Sequence, residues 1–204
     1  MLFSLAFFFN FLIGGISGVF LSDVPSDVTT HGSYFVMAHF HYTIMGGLVF
    51  ALMAGLYYWL PKLTGFKMNE RLGKAHFWTM FIFFNTTFFP LFAAGLLGMP
   101  RRVSSYNPSL HGLNVFVSVS AFCLGASFLI LIANLVWSLI LRREKEVANP
   151  WQALSLEWQL PSPPPVYNFA EIPVINSGPY DYGVPDRVPI AELKPTVSAP
   201  EVQT

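Results

Sequence analysis

Long apolar segments separated by short polar stretches fill the first two thirds of the chain. Four of them are long enough to cross a bilayer as helices, which takes about 20 residues each: Leu2–Leu21, Tyr34–Leu60, Ala75–Met99 and Leu113–Leu141. None carries a charged residue in its interior. The first lacks a basic flank and is long for a signal peptide, so we interpret it as a retained span. The pattern predicts an all-α integral membrane protein with four transmembrane helices.

The composition agrees with a chain that lies in lipid. Hydrophobic residues make up 53% of the 204 residues and charged residues only 11%, against about 25% charged in an ordinary soluble domain. The formal net charge is zero, so the chain has no overall attraction to nucleic acid. We therefore expect a lipid bilayer around the chain and no nucleic-acid partner.

Basic residues between the spans predict the topology, because cytoplasmic loops carry the excess of Lys and Arg. The first loop has no basic residue, whereas the second loop and the stretch directly after the fourth span hold Lys62, Lys67, Arg71, Lys74, Arg142, Arg143 and Lys145. The second loop and the C-terminus are therefore predicted to lie inside. Arg101 and Arg102 follow the third span on the predicted outer side, which indicates a role other than topology.

The sequence changes character after the fourth span, and we divide the chain there. Residues 1–143 are predicted to form the transmembrane region, whereas residues 144–204 hold many of the 16 prolines and few long apolar runs. We expect these later residues to form an extended, Pro-rich tail on the cytoplasmic side. A loosely ordered terminus is the alternative interpretation.

Two histidines, His39 and His41, lie one residue apart in the second apolar segment. On an α-helix they point about 200° apart at nearly the same height, so each could hold a separate group but they cannot bind one metal ion together. An imidazole in lipid is costly unless its nitrogens have partners, and a haem iron is a common partner. The alternative is a pair of core histidines bonded to neighbouring helices, as in a proton relay.

Arg101 and Arg102 suit the propionates of such haems, because a guanidinium binds carboxylates bidentately and stays charged. Asp27 and His31 lie in the preceding outer loop, a few helical turns from His39 at most. We therefore expect these polar residues to gather in the outer half of the membrane. Contact with lipid headgroups is the alternative role for the arginine pair.

Three stretches, HGSYFVMAHFHYTIMGG, FFNTTFFPLFAAGLLGMPRRVSSY and NPWQALSLEWQLPSPPP, closely resemble the C-terminal part of subunit I of the haem-copper cytochrome c oxidases. The resemblance runs from Met1 to about Phe169. It implies that the four spans correspond to the last four of the family's twelve. It also implies that the chain is part of a membrane enzyme that reduces O₂ to water and pumps protons.

The resemblance implies a role for each residue of these motifs. His39 is the axial ligand of the high-spin haem, where O₂ reacts, and His41 is an axial ligand of the low-spin haem that delivers electrons. Phe40 lies between the two haems. Arg101 and Arg102 bind haem propionates.

The outer loop departs from the family in one position. The resemblance implies that Asp27 interacts with a propionate of the high-spin haem, and that His31 touches a propionate and helps to bind magnesium or a similar divalent ion. Family members commonly have an aspartate directly after this histidine, whereas this chain has Gly32. Because Mg²⁺ prefers oxygen ligands, the missing carboxylate puts the magnesium role in doubt.

Much of the implied site is absent from the chain. The family's copper needs three further histidines and the low-spin haem needs a second one, whereas only His31, His76 and His111 remain here. We expect His76 and His111 to be surface or interface residues. The copper ligands and the remaining spans of subunit I are then expected on another chain, in either a naturally split subunit or a separate fragment.

The resemblance also implies the partners and the setting of the complex. These are haems of the a type, oxidase subunits II and III, O₂ as substrate, and cytochrome c or a quinol as electron donor. The expected location is an energy-transducing membrane, such as the bacterial plasma membrane. Alternatives in the same superfamily are a quinol oxidase and a nitric oxide reductase. From another class, the alternative is a haem-free assembly or structural remnant.

Overall fold

The structure is a computed structural model that describes residues 1–141, 148–169 and 178–181. The described residues form six α-helices: α1 (Leu2–Ser22), α2 (Val24–Thr30), α3 (Tyr34–Thr43), α4 (Phe50–Thr64), α5 (Glu70–Leu96) and α6 (His111–Val136). Two π-helical stretches cover Ile44–Val49 and Trp137–Leu141, and two short 3₁₀ helices cover Pro108–Leu110 and Leu156–Gln159. Apart from one isolated bridge, the described part of the chain has no β-structure.

Four helical stretches in the described residues are long and apolar enough to cross a membrane: Leu2–Ser22, Tyr34–Thr64, Glu70–Leu96 and Pro108–Leu141. The all-α class and the four predicted spans are therefore confirmed. The third span begins earlier than predicted, because the Asn69 side chain caps α5 by accepting hydrogen bonds from the next backbone N–H groups. It ends at Leu96, and Gly98 follows with φ +81°, a left-handed conformation typical of glycine after a helix.

The second span is one continuous helical stretch with a wide turn in its middle. α3 passes into the π-helical residues Ile44–Val49, which lead into α4. A π-helical stretch inside a longer helix is frequent at functional sites, and this one starts three residues after His41. Its Gly46 lies against α1, since a Cβ there would come within 2.8 Å of the Asn10 Cβ.

Close helix packing positions α3 between α1 and α5. A Cβ on Gly14 of α1 would lie 2.8 Å from the Thr43 Cγ2, and a Cβ on Gly95 of α5 would lie 2.6 Å from the Phe35 Cβ. Small residues that let backbones approach are a common means of helix association in membranes, where lipid is as apolar as the side chains. The glycines of α1 and α5 therefore determine how closely the two neighbours enclose α3.

A buried polar chain links the same three helices. The Tyr42 hydroxyl donates a hydrogen bond of 2.8 Å to the Asn85 Oδ1, and the Asn85 Nδ2 lies 3.4 Å from the Asn10 Oδ1. Both Asn10 and Tyr42 are fully buried. Hydrogen bonds between membrane helices contribute about 0.6–2 kcal/mol each, so this chain adds directional contacts to the glycine packing.

The chain divides into two compact units. The first contains Met1–Leu56 and Asn69–Leu135, and the second contains Tyr57–Met68 together with the described residues after Leu135. The predicted boundary between residues 143 and 144 lies in the undescribed stretch 142–147. That boundary stays a prediction, and Arg142, Arg143 and Lys145 lie outside the described residues.

In the second unit, residues 148–169 pack around the end of α4. Lys62 is buried, and its Nζ donates a hydrogen bond of 2.7 Å to the Leu160 carbonyl oxygen. The same ammonium group lies 5.1 Å from the ring centre of Trp158, which stacks on Trp59. The Trp151 Nε1 donates to the Tyr58 carbonyl oxygen at 3.0 Å. The structure thus anchors this part of the Pro-rich tail through cation–π and backbone contacts.

Candidate functional site

His39 lies on the side of α3 that faces α1. Its Nδ1 is 3.0 Å from the Ser17 Oγ and 3.1 Å from the Gly14 carbonyl oxygen. The imidazole lies against Gly18, where a Cβ would come within 2.9 Å of the His39 Cε1. α1 therefore holds this ring through two oxygen atoms and leaves space for it at a glycine.

His41 lies on the side of α3 that faces α5. Its Nδ1 is 2.7 Å from the Met37 carbonyl oxygen one turn earlier. Its ring stacks on Phe88 of α5 at 4.2 Å between ring centres and 16° between planes, and the Phe40 ring lies 4.3 Å away. The two histidines thus occupy opposite faces of one helix, in the arrangement that their spacing predicts.

The hydrogen bonds determine which nitrogen of each neutral imidazole carries the proton. The carbonyl oxygens of Gly14 and Met37 can only accept, so Nδ1 must donate in both rings. The lone pair then lies on Nε2 in His39 and in His41. Within residues 1–141, 148–169 and 178–181, neither Nε2 has a hydrogen-bond partner, since all bonds of these two side chains involve Nδ1.

This arrangement fits an axial ligand of haem iron. Metal-ligating histidines almost always donate their other ring N–H to a carbonyl, carboxylate or water, which fixes the tautomer and the ring orientation. Both rings meet that requirement, and both are half-buried rather than enclosed by neighbouring side chains. The residues present can therefore each hold one metal-centred group, on opposite sides of α3.

Two loops meet at the end of the first unit where α3 begins and α5 ends. The Arg101 N–H donates to the Gly32 carbonyl oxygen at 2.9 Å, and the Tyr34 N–H donates to the Met99 carbonyl oxygen at 3.0 Å. Ser33 forms an isolated antiparallel bridge with Pro100 between these bonds. The backbone therefore fixes the start of the arginine pair beside the loop that precedes α3.

The charged residues predicted for the site lie at this junction. His31 and Asp27 contact each other, with 3.3 Å between the His31 Nδ1 and an Asp27 carboxylate oxygen, and both side chains are exposed. Arg101 is half-buried and Arg102 is exposed. Among the described residues neither guanidinium has an ion-pair partner. The structure thus brings Asp27, His31 and the arginine pair to one end of the unit, where α3 begins. His39 lies about 7.5 Å further along α3 from its first residue.

The other two histidines differ from each other. His111 is exposed, as expected, with its Nδ1 3.3 Å from the Tyr106 hydroxyl. The expectation of a surface position is wrong for His76, which is completely buried in α5. Its ring lies 5.3 Å from the Phe3 ring and 6.1 Å from the Phe128 ring. Aromatic side chains of α1 and α6 cover it, a contact between distant segments that the local sequence does not show.

No described part of the chain brings three or more His, Cys, Asp or Glu side chains together at metal-binding distance. His39 and His41 lie on opposite faces of α3. Ser17, Gly14 and Gly18 were not identified from the sequence as part of the site. A serine between glycines in an apolar span was the available signal, but it does not by itself point to a distant histidine.

Comparison with known proteins shows the family of this chain. Residues 1–123 match the family model described as cytochrome C and quinol oxidase polypeptide I. The chain belongs to this family. The match contains α1 to α5 and the start of α6, and it therefore includes both histidines of α3 and the arginine pair.

Individual relatives in the cytochrome C and quinol oxidase polypeptide I family match most of this chain. It is 47% identical over 184 residues to cytochrome c oxidase subunit 1 of Synechocystis sp., a match that covers 90% of this chain and 33% of the relative. It is 44% identical to quinol oxidase subunit 1 of Bacillus spizizenii, covering 87% of this chain and 28% of the relative. The chain thus spans about a third of the length of the curated relatives that it matches.

A solved structure of this type supports the fold. The chain matches a structure described as a heme-copper terminal oxidase dimer, determined by cryo-EM, with a TM-score of 0.61 and 22% sequence identity. The match covers 71% of this chain and 27% of that one. At this identity the similarity carries the fold alone, and it agrees with the four long apolar helices of the described residues.

Proposed function

We propose that this chain is part of the catalytic subunit of a terminal respiratory oxidase and supplies one axial ligand to each of two haems. The observation that carries the proposal is the paired geometry on α3. His39 and His41 face opposite sides, each donates from Nδ1 to an oxygen acceptor, and each keeps the Nε2 lone pair available. Family membership gives the class of cofactor that such a pair holds.

Each histidine is assigned to one haem. His39 would hold the iron of the high-spin haem, and His41 would hold the iron of the low-spin haem. Phe40, whose ring packs against His41, would lie between them. When bound, the two haems, of the a type in this proposal, supply the electron transfer and the reduction of O₂ to water. This chain's residues would orient the ligand nitrogens, because oxygen atoms of Gly14, Ser17 and Met37 hold the two rings at Nδ1.

The polar junction would bind the haem propionates. Arg101 and Arg102 have no ion-pair partner among the described residues and so remain available for carboxylates. Asp27 and His31 already contact one another. Asp27 would interact with a propionate of the high-spin haem, and His31 would touch a propionate. His31 would also help to bind a magnesium ion, without the carboxylate that family members commonly place directly after it. Gly32 occupies that position, and its φ of +74° is a backbone conformation that suits glycine.

The rest of the active site would come from another chain. The proposal places the copper ligands, the second ligand of the low-spin haem and the remaining spans of subunit I there, together with oxidase subunits II and III. It also includes proton pumping and a location in the bacterial plasma membrane, with the C-terminus inside. The loop topology of Lys and Arg supports that orientation.

The electron donor is either cytochrome c or a quinol, because relatives of both names match this chain at similar identity. Separate assays of the purified complex with reduced cytochrome c and with a quinol would distinguish the two. Faster turnover with the quinol would assign the chain to a quinol oxidase.

The experiment that tests the haem proposal uses three variants of the complete complex purified from membranes. We expect His41→Ala to remove the optical band of the low-spin haem, and His39→Ala to remove the high-spin haem together with CO binding. His111→Ala, at an exposed histidine, should keep both haems. A pyridine haemochrome assay that finds no haem in the unaltered complex would favour the haem-free alternative. A normal spectrum in either variant would refute the role of that histidine.

A further inference from the structure

Ser17 is the one side chain of α1 that contacts the imidazole of His39 through a hydrogen bond. It is nearly buried, and its Oγ lies 3.0 Å from the His39 Nδ1. The same Oγ donates a hydrogen bond of 2.9 Å to the Gly14 carbonyl oxygen. That carbonyl oxygen is itself 3.1 Å from the His39 Nδ1. The two oxygen atoms and the ring nitrogen therefore form a closed group of three polar atoms.

The hydrogens in this group can be assigned by counting donors. The Ser17 hydroxyl has one hydrogen, which the Gly14 carbonyl oxygen accepts, so the Oγ offers only its lone pairs to His39. The His39 Nδ1–H is then shared between the Ser17 Oγ and the Gly14 oxygen. A hydroxyl that donates to a carbonyl is polarised and becomes a stronger acceptor. The serine therefore strengthens the acceptor that faces Nδ1.

The two histidines of α3 differ in the kind of acceptor that their Nδ1–H groups meet. The Nδ1 of His41 has a backbone carbonyl of its own helix as its acceptor, that of Met37, and no side chain can alter it without moving the helix. The Nδ1 of His39 has two acceptors on another helix, and one of them is the Ser17 hydroxyl, which a substitution can remove. Only one of the two ligands is therefore adjustable by a side chain.

We propose that Ser17 is a positioning residue that sets the orientation and the donor strength of the His39 Nε2 toward the high-spin haem, without acting on the low-spin haem. This inference rests on the proposed function. A stronger acceptor at Nδ1 makes Nε2 a better electron donor to iron. That donation strengthens the iron–histidine bond, and it stabilises the oxidised iron more than the reduced iron.

The test measures the iron–histidine bond itself. Ser17→Ala and Ser17→Thr are prepared in the complete oxidase complex, and resonance Raman spectra of the reduced high-spin haem give the iron–histidine stretching frequency. For Ser17→Ala we expect a shift to lower frequency and a higher reduction potential of the high-spin haem. Ser17→Thr keeps the hydroxyl and should restore both values. The band and potential of the low-spin haem should stay unchanged in both variants.

Ser127→Ala is the matched control. Ser127 is also buried and donates its hydroxyl to the carbonyl oxygen three residues earlier, that of Leu124, but among the described residues it forms no hydrogen bond with a histidine. An unchanged stretching frequency in Ser17→Ala, or an equal shift in Ser127→Ala, would overturn the role of Ser17. A complex without any haem would instead refute the proposed function, so the two failures are distinguishable.

Discussion

The contact between Gly18 and His39 allows a sharp test of how α1 positions the ring. In Gly18→Ala the new Cβ would lie 2.9 Å from the His39 Cε1, whereas ordinary contact begins at 3.4 Å. The ring, or the whole of α1, must therefore shift by about 0.5 Å. That is the tolerance within which a functional side chain has to be held.

The size of the effect follows from the cost of such overpacking, which is about 1–3 kcal/mol. Because in the proposed function the strained ring also meets an iron at fixed geometry, we expect the strain to weaken binding of the high-spin haem. A cost of this size corresponds to about 5- to 150-fold in an equilibrium constant. We expect the low-spin haem to be retained, since His41 lies on the other face of α3 and packs against α5.

Gly15→Ala is the matched control for this variant. Gly15 is in the same helix, and a Cβ there meets no atom of the described chain within 4 Å. Both variants gain the same helix propensity of alanine over glycine, so their difference isolates the contact with His39. The assay compares CO binding and the ratio of high-spin to low-spin haem in the two purified complexes. Equal CO binding in both would refute the argument that Gly18 makes space for the ligand.

Three further changes test other parts of the structure. Gly95→Ala should lower the amount of folded complex recovered from membranes, because its Cβ would lie 2.6 Å from the Phe35 Cβ and beside rigid backbone; recovery equal to that of the unaltered chain would contradict the packing of α3 on α5. Lys62→Met removes the ammonium group that donates to two carbonyl oxygens of the tail. We expect Lys62→Met to show faster hydrogen–deuterium exchange in residues 148–169 than the unaltered chain. Lys74→Met, which changes an exposed lysine, should leave that exchange unchanged. Arg101→Ala should lower the reduction potential of a haem without loss of both haems, since a positive charge near the propionates favours the reduced state; an unchanged redox titration would count against the propionate role.

The fold was largely readable from the pattern of apolar residues. Long uncharged segments can only be helices in lipid, because every backbone polar group must find its partner within the segment. The boundaries were less predictable. α5 begins at Glu70 rather than inside the apolar run, because the Asn69 cap extends the helix into polar residues that a hydropathy pattern does not count. The π-helical stretch after α3 also leaves no signal in the hydrophobic periodicity.

The directions of the two histidines in the candidate site were predictable from the sequence, whereas their hydrogen-bond partners were not. The spacing of His39 and His41 fixes their opposite directions through the 3.6-residue turn alone. The helix period does not determine their hydrogen-bond partners. The acceptor of His41 is a backbone atom one turn away, whereas that of His39 comes from α1, more than twenty residues earlier in the chain. His76 shows the same limit, because rings from two distant helices bury it.

The sequence by itself thus determined the membrane class, the number of spans and the direction of the two ligand side chains, since each depends on helix geometry and local composition. Tertiary structure decided which nitrogen of the His39 ring keeps its lone pair, which glycine leaves space for His39, and that the arginine pair adjoins the loop before α3. These features depend on atoms from separate segments of the chain lying within about 3 Å of one another. Local sequence sets the period of a helix, but the approach of two helices depends on the small residues and hydrogen bonds that both contribute.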